Sequence, residues 1–424
     1  RNRADWLLGV NSSHAICKAV GFGNNSLGRV QTPVLAEICR RYRERENHMP
    51  ADSWPVFISL CKNDRILKMR HVDDLVARRE ALALYEDCKA AKNARITAVR
   101  KRTEEIGAPA LYNLAELQKD ANRYHGLTAI QVQEIAQSLY EKRLISYPRT
   151  SSRLLPKDVY DTLPPVMEKM LSRKEFRQYA GMVDLAAPQD SIGAQDTMEH
   201  HAIIITGIQP GKLGREEMLV YTLIVGRVLE TFMPPCKVEY TTVDAVCAAR
   251  KFRIRTYRIL EKGWLGIFER EHIVAKGRMP YQVMPEFFQE EILPVAGCSL
   301  IHKKSLPVSP YTDEELVDYM DKAGLGTVST RTNILRPLLE RKYIRYSGKY
   351  VVPTPKGLFL YETVRGMKVA NASLTSGWET ELARIERGEL SQEEFLDGVL
   401  ETVNEVTGEI FRNHPVEKRP QGTI

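Results

Sequence analysis

Cysteine is present but never grouped: Cys17, Cys39, Cys61, Cys88, Cys236, Cys247 and Cys298 lie far apart, and no Cys-x-x-Cys occurs. That scatter excludes an ordinary zinc ribbon and reads as free thiols in a reducing compartment. No run approaches the roughly 18 apolar residues that cross a bilayer. The opening RNRADWLLGV lacks the apolar stretch and small-residue cleavage site of a signal peptide. A soluble, cytoplasmic protein with no membrane partner is the expectation. No Gly-x-x-x-x-Gly-Lys-Ser/Thr loop is found, so nothing points to nucleotide hydrolysis. Internal repeats and low-complexity segments are also missing. The one adjacent acidic pair considered for a metal, Asp73-Asp74, falls between a predicted strand and a predicted helix with no Gly-rich turn before it, so no metal ligands are assigned.

What is present is a basic body with an acidic end. The net charge is +7 over 424 residues, yet Trp378–Arg412 holds ten Asp/Glu against three Lys/Arg, a local balance of −7. The rest of the chain therefore carries +14. Such asymmetry suits a protein that presents one face to a polyanion, although a solvated charged surface has the same composition.

A chain this long exceeds one core, so two to four domains are expected. Residues 1–49 read as two helices, the second with Thr32 as cap, Pro33 in its first turn and an apolar stripe of Val34, Leu35, Ile38 and Tyr42. VFISLCK and RILKMRHV read as strands around the turn Asn63-Asp64. A helix over about 78–91 and the strand RITAVRKR follow. From Leu111 to Pro235 the pattern is mainly helical. There Thr128 and Gln131 form a capping box, and Val132, Ile135, Ala136 and Leu139 recur at helical spacing. Alternation returns over 236–300. From Thr312, a capping box with Glu315, a break at Gly324-Leu-Gly326, a helix within Thr327–Arg341 and two strands around Ser347-Gly348 resemble a winged helix. Pro337 should bend that helix or delay its start. Strands on both sides of a helical insert, with helices at both ends, predict nested multidomain α+β architecture.

Four segments carry chemistry. Tyr147 follows a buried helix on a stiff, exposed turn set by Pro148, and Arg149 lies two residues on, where an extended backbone returns to the same side. A phenol with a pKa near 10 is only about one part in a thousand ionised at neutral pH, so a guanidinium that favours phenolate and grips a phosphodiester matters. His200-His201 precede the apolar AIIIT, where a buried histidine is the ordinary explanation and a phosphate contact the functional one. LGRVQTP, with Arg29, Gln31 and Thr32, and GTVSTR, with Ser329, Thr330 and Arg331, put small residues, hydroxyls and a cation at helix starts. Those are sites for phosphates as well as common helix entries.

In this order, LGRVQTPVL, LISYPRT, HHAIIIT and DKAGLGTVSTRTNILRPLLERKYI resemble the signature segments of type IA DNA topoisomerases, nearest the topoisomerase III branch, and RADWLLGVNSS resembles the stretch after their Toprim domain. The resemblance covers essentially the whole chain. It departs at Ser151, Ile205, Val328 and His14, where that family commonly has Asp, Pro, Pro and Arg. It implies a toroidal core made of helical domains with winged-helix-like units and a strand-rich gate. Domain IV would span 1–49 and 303–424, gate domain II 50–106 and 234–302, and domain III 107–233. It also implies catalytic Tyr147, Arg149 and His200, with Arg29, Gln31, Thr32, His201, Ser329, Thr330 and Arg331 near a single strand of DNA. The expected activity is transient cleavage through a 5′-phosphotyrosine, strand passage and religation without ATP, by a nucleoid-associated monomer. Mg2+ would be held by Toprim, of which no segment is found. This chain alone is therefore expected to be inactive until Toprim joins it in cis or in trans, bringing the acid that protonates the leaving 3′-oxygen. Other classes fit less well. In a tyrosine recombinase the tyrosine follows Arg and His, a relaxase needs His-x-His, and a non-catalytic single-strand clamp of the same fold is the remaining alternative.

Overall fold

The computed structural model describes residues 1–20, 25–174, 176–184, 200–276, 279–326 and 330–414. Its centre is a closed antiparallel barrel built from two separated stretches of chain. Strands β2 (Val56–Lys62), β3 (Arg65–His71) and β4 (Asn93–Ile106) come from the first, and β5 (Cys236–Cys247), β6 (Arg250–Glu261) and β7 (Ile292–Leu300) from the second. They are ordered β2-β3-β6-β5-β4-β7. A short pair, β1 (Asp52–Ser53) with β8 (Lys303–Lys304), joins the two stretches again. The β2–β3 hairpin turns at Asn63 and Asp64, whose φ angles of 50° and 59° are those of a primed two-residue turn. Ala248 and Ala249 do the same between β5 and β6. Alternation sends Val56, Ile58, Leu60, Leu67, Met69, Val243 and Phe252 inward, and helix α3 (Arg78–Ala90) packs Ala81, Leu84 and Cys88 against them.

Between β4 and β5 lies the helical insert: α4 (Leu114–His125), α5 (Ala129–Glu141), α6 (Lys157–Tyr160), α7 (Leu163–Leu171) and α8 (Arg215–Thr231). Asn113 caps α4 by accepting the Glu116 N–H, and Gly126, at φ 69°, ends it. The capping box of Thr128 and Gln131 starts α5 as its sequence predicts. One core joins Leu117, Ala121, Val132, Ala136, Leu139, Ile203, Ile224 and Val228.

After β6 the chain passes through α9 (Glu271–Val274). The two ends of the chain form a third unit. Helices α1 (Asn2–Val20) and α2 (Gln31–Glu46) pack with α10 (Asp313–Lys322), α11 (Arg331–Glu340), α12 (Pro355–Val364), α13 (Ala372–Glu386) and α14 (Gln392–Asn413). Strands β10 (Ile344–Ser347) and β11 (Tyr350–Pro353) form a hairpin beside α11, and β9 (Tyr311–Thr312) adds a third strand.

Three local expectations need correction. Thr32 is not the cap of α2: the helix is entered through Val30 without a side-chain cap, and the Thr32 hydroxyl is buried, accepting the Gly28 N–H at 2.9 Å. Pro337 does not delay the start of its helix. It occupies the last turn of α11, where the helix has only three residues left to run. Tyr147 is half-buried rather than set on an exposed turn, because the residues around it are stitched into the insert.

Candidate active site

Helix α5 ends at Glu141, and Arg143, at φ 59°, reverses the chain. The next residues are extended and tied to the segment after His201. Ile145 and Ile205 form an isolated bridge, the Ser146 N–H donates to Ile204 O at 2.9 Å, and the Thr206 N–H donates to Leu144 O at 3.1 Å. The Ser146 side chain doubles this link, donating to Ala202 O at 3.1 Å and accepting the Ile204 N–H at 2.9 Å. Beyond Pro148, the buried Thr150 hydroxyl donates to His200 O at 3.0 Å. Ser146 and Thr150 therefore clamp the tyrosine-bearing segment to the histidine-bearing one on either side of Tyr147. Their alternation with Tyr147 and Arg149 in S-Y-P-R-T was the available signal, and neither was singled out in the sequence reading.

The clamp brings two of the expected residues into contact, with Arg149 two residues beyond the first. The Tyr147 ring lies against the His200 ring, centroids 4.5 Å apart, and meets Tyr140 edge-on at 5.4 Å. Among the described residues the Tyr147 hydroxyl has no hydrogen-bond partner. Arg149 forms no ion pair among them either, and its Nε is buried without a partner. A buried guanidinium N–H that stays unsatisfied costs roughly 1–3 kcal/mol, more for a charged group, and such a donor is ready for an anion. His201 points elsewhere: its Nδ1 lies 2.7 Å from Ala202 O, and since a carbonyl can only accept, that nitrogen carries a proton. Ser151, exposed, uses its carbonyl to accept from the Asn113 amide.

The other expected residues sit in the third unit. Arg29 is 4% exposed and already committed, donating to Asp5 at 2.7 Å and Glu379 at 2.9 Å. Burial works against its charge, but those two carboxylates hold its pKa above the ordinary arginine value. Arg29 is thus held by two carboxylates at the wall of an open groove, and Thr32 is an internal support. Gln31 is half-buried and accepts from Arg341 at 2.9 Å. With Trp6, Ser26, Gly28 and Pro337 these two line an open groove of about 620 Å³. Arg331 is buried against Asp321, leaving its Nε and Nη1 without partners. Thr330 precedes α11 without a side-chain cap bond. Ser329 and Val328 lie outside the described residues. Among the described residues no group of three or more His, Cys, Asp or Glu could hold a metal ion; the Mg2+ that the resemblance implies is expected on Toprim. No described helix is long and apolar enough to cross a membrane.

Comparison with known proteins agrees with this layout. Residues 1–397 match a family model described as DNA topoisomerase. DNA topoisomerase 1 of Methanocaldococcus jannaschii is 28% identical over 94% of this chain and 52% of its own length. DNA topoisomerase 1 of Pyrococcus horikoshii is 29% identical over 98% and 61%. DNA topoisomerase 3 of Bacillus licheniformis is 28% identical over 97% and 60%. The chain thus spans between half and three-fifths of these relatives. The solved structure of topoisomerase I from Thermotoga maritima superposes with a TM-score of 0.75 at 20% identity, covering 97% of this chain and 68% of that one, which establishes the shared fold.

Proposed function

We infer, for a chain that belongs to the type IA DNA topoisomerase family, that Tyr147 cuts one strand of DNA transiently and that the cut is resealed without ATP. The Tyr147 oxygen attacks a backbone phosphorus. The phenol gives up its proton, the bond to the 3′-oxygen breaks and a 5′-phosphotyrosine forms. That 3′-oxygen takes up a proton and leaves as a hydroxyl. Religation reverses each change, so the phosphodiester's energy is conserved and no nucleotide is consumed. Arg149 holds the phosphate, where spread charge on the phosphoryl oxygens is the main demand of such a transition state. His200, against the phenol ring, positions it and offers a polar edge to the same phosphate. The Mg2+ that the resemblance implies would be held by Toprim, and no step here runs through it.

The observation that carries the reading is the Tyr147 ring packed against the His200 ring, its hydroxyl free of hydrogen bonds among the described residues, with the unpartnered Nε of Arg149 two residues on in the chain. Its test is a covalent adduct on a single-stranded oligonucleotide labelled at its 3′ end, with a Toprim domain present in cis or in trans. The label is expected on Tyr147, Tyr147→Phe should form none, and Arg149→Ala should form it about 10²-fold more slowly. An adduct on another residue, or one undiminished in Tyr147→Phe, would refute the assignment. Strand binding without any adduct would leave the non-catalytic clamp.

A further inference from the structure

The outer face of the barrel has a charge pattern that the cutting site does not use. Across β3 and β6, Arg70 stands directly opposite Arg253. Strand alternation puts Lys68 and Arg70 of β3 and Arg253 and Arg255 of β6 on the outside, while Met69, His71, Phe252 and Ile254 face in. Successive outward positions on a strand are about 6.8 Å apart, comparable to successive phosphates along an extended single strand. With Phe57 and Lys276 these side chains line an open groove of about 590 Å³, and none of its lining comes from the insert that carries Tyr147.

Like charges opposite one another weaken a sheet, and neighbouring carboxylates neutralise this set only in part. Asp244 is shared by Arg253 and Arg100, Glu104 by Lys276 and Arg102, and Asp74 serves Arg70. Two cations are left over. Lys68 sits over the Phe57 ring at 4.7 Å with no acidic partner, and Arg255 is exposed with none among the described residues. Two unmatched cations within a cationic row on the outside of a barrel are suited to a polyanion, held by its phosphates without base reading.

We propose that this groove is a second binding track for the phosphate backbone of single-stranded DNA, holding a strand other than the one that Tyr147 cuts. The identity of the polyanion rests on the function proposed above; the groove itself does not. The test uses the protein with its cutting site saturated by a short unlabelled oligonucleotide, and follows a labelled second oligonucleotide against salt concentration. Lys68→Glu with Arg255→Glu should weaken the second strand roughly tenfold and lower the slope of log affinity against log salt by about 1.4, two phosphate contacts at about 0.7 each. The control pair Lys212→Glu with Arg215→Glu, exposed residues of the insert with the same charge change, should leave it alone. Both doubles should melt as the parent does and, with a Toprim domain supplied in cis or in trans, form the Tyr147 adduct on the short strand at the parent rate. Unchanged second-strand binding in the groove double would overturn the proposal and leave the groove to an acidic protein surface. An equal loss in the control would reduce it to bulk charge. Loss of second-strand binding in a protein that forms no adduct even with a Toprim domain present would keep the groove and refute the cutting reaction instead.

Discussion

The insert that carries Tyr147 is held on two sides, and the two contacts are built differently. Toward the barrel the contact is dry and interlocked. Arg227 of α8 donates to Asp120 at 2.7 Å and Glu230 at 3.1 Å, and Arg270, just before α9, reaches the same two carboxylates at 3.0 and 3.4 Å. The Tyr112 hydroxyl joins at Asp120, and the Tyr112 ring lies under Arg227. Gly226 completes the fit: a Cβ there would lie 1.9 Å from the Phe268 ring. Toward the third unit a small buried apolar cluster, Ala115, Ala129 and Val317, is ringed by half-exposed ion pairs, Lys119 with Asp318, Arg123 with Glu314 and Arg336 with Glu134. Pairs of that kind contribute about 0–1 kcal/mol each and are screened by salt. If the ring opens to pass a strand, it therefore parts at the second contact, and the insert stays with the part of the barrel side that holds Arg270.

The largest test of that asymmetry is Arg270→Ala. It leaves Glu230, fully buried, with one guanidinium instead of two, and Asp120 likewise. Removing one partner from a buried ionic group costs about 3–5 kcal/mol, so chemical denaturation should show a loss of that order. A loss below 1 kcal/mol would mean the barrel contact is no firmer than the other.

A second test uses pH. Burial pushes the Glu230 carboxyl up to about 7, against the pull of Arg270 and Arg227. The unfolded chain releases this proton near pH 4.5 and the folded one near 7. The group's contribution is therefore fullest below pH 4.5 and declines as pH rises through 7, by roughly 3 kcal/mol. Glu230→Gln cannot titrate, so the stability of the parent relative to this variant should fall by that amount between pH 4.5 and 7.5. A flat difference would show Glu230 to be ionised throughout.

None of that cluster was visible in the sequence. Asp120, Arg227, Glu230 and Arg270 belong to no shared local pattern, and their meeting depends on how two elements far apart in the chain dock. Local devices were readable: the boxes at Thr128 and Thr312, the Asn63-Asp64 turn and the alternation of β2, β3, β5 and β6 each depend on residues within a few positions. The strand order around the barrel does not, and alternation could not supply it. The candidate site shows the same division. Tyr147 and Arg149 were legible because a single proline sets their backbone, and His200 came through its motif. The carboxylates that hold Arg29 were not legible, because Asp5 and Glu379 lie 24 and 350 residues away. Thr150 went unread because its acceptor is a backbone carbonyl 50 residues on.

The smallest expected effect falls on the weaker contact and decides where it is weakest. Asp313, at the start of α10, is its one buried carboxylate. It accepts the N–H of Ala129, the first residue of α5, at 2.6 Å, and the Tyr346 hydroxyl at 2.9 Å. Burial raises its pKa, with those two donors pulling the other way, so the carboxylate is held at some cost to itself. Asp313→Ala removes that cost but strands both donors, each worth about 1 kcal/mol when unsatisfied, and the net loss should be about 1–2 kcal/mol. The loss should be local. Hydrogen exchange should quicken at the first turn of α5 and along α10 while α8 keeps its protection, because nothing at the Arg227–Arg270 cluster has changed. Moderate salt should add to the effect of Asp313→Ala at α5 by screening the neighbouring ion pairs, and should leave α8 as it was. If α8 lost protection together with α5, the two contacts would be one cooperative unit, and the insert could not part from the third unit while keeping its hold on the barrel.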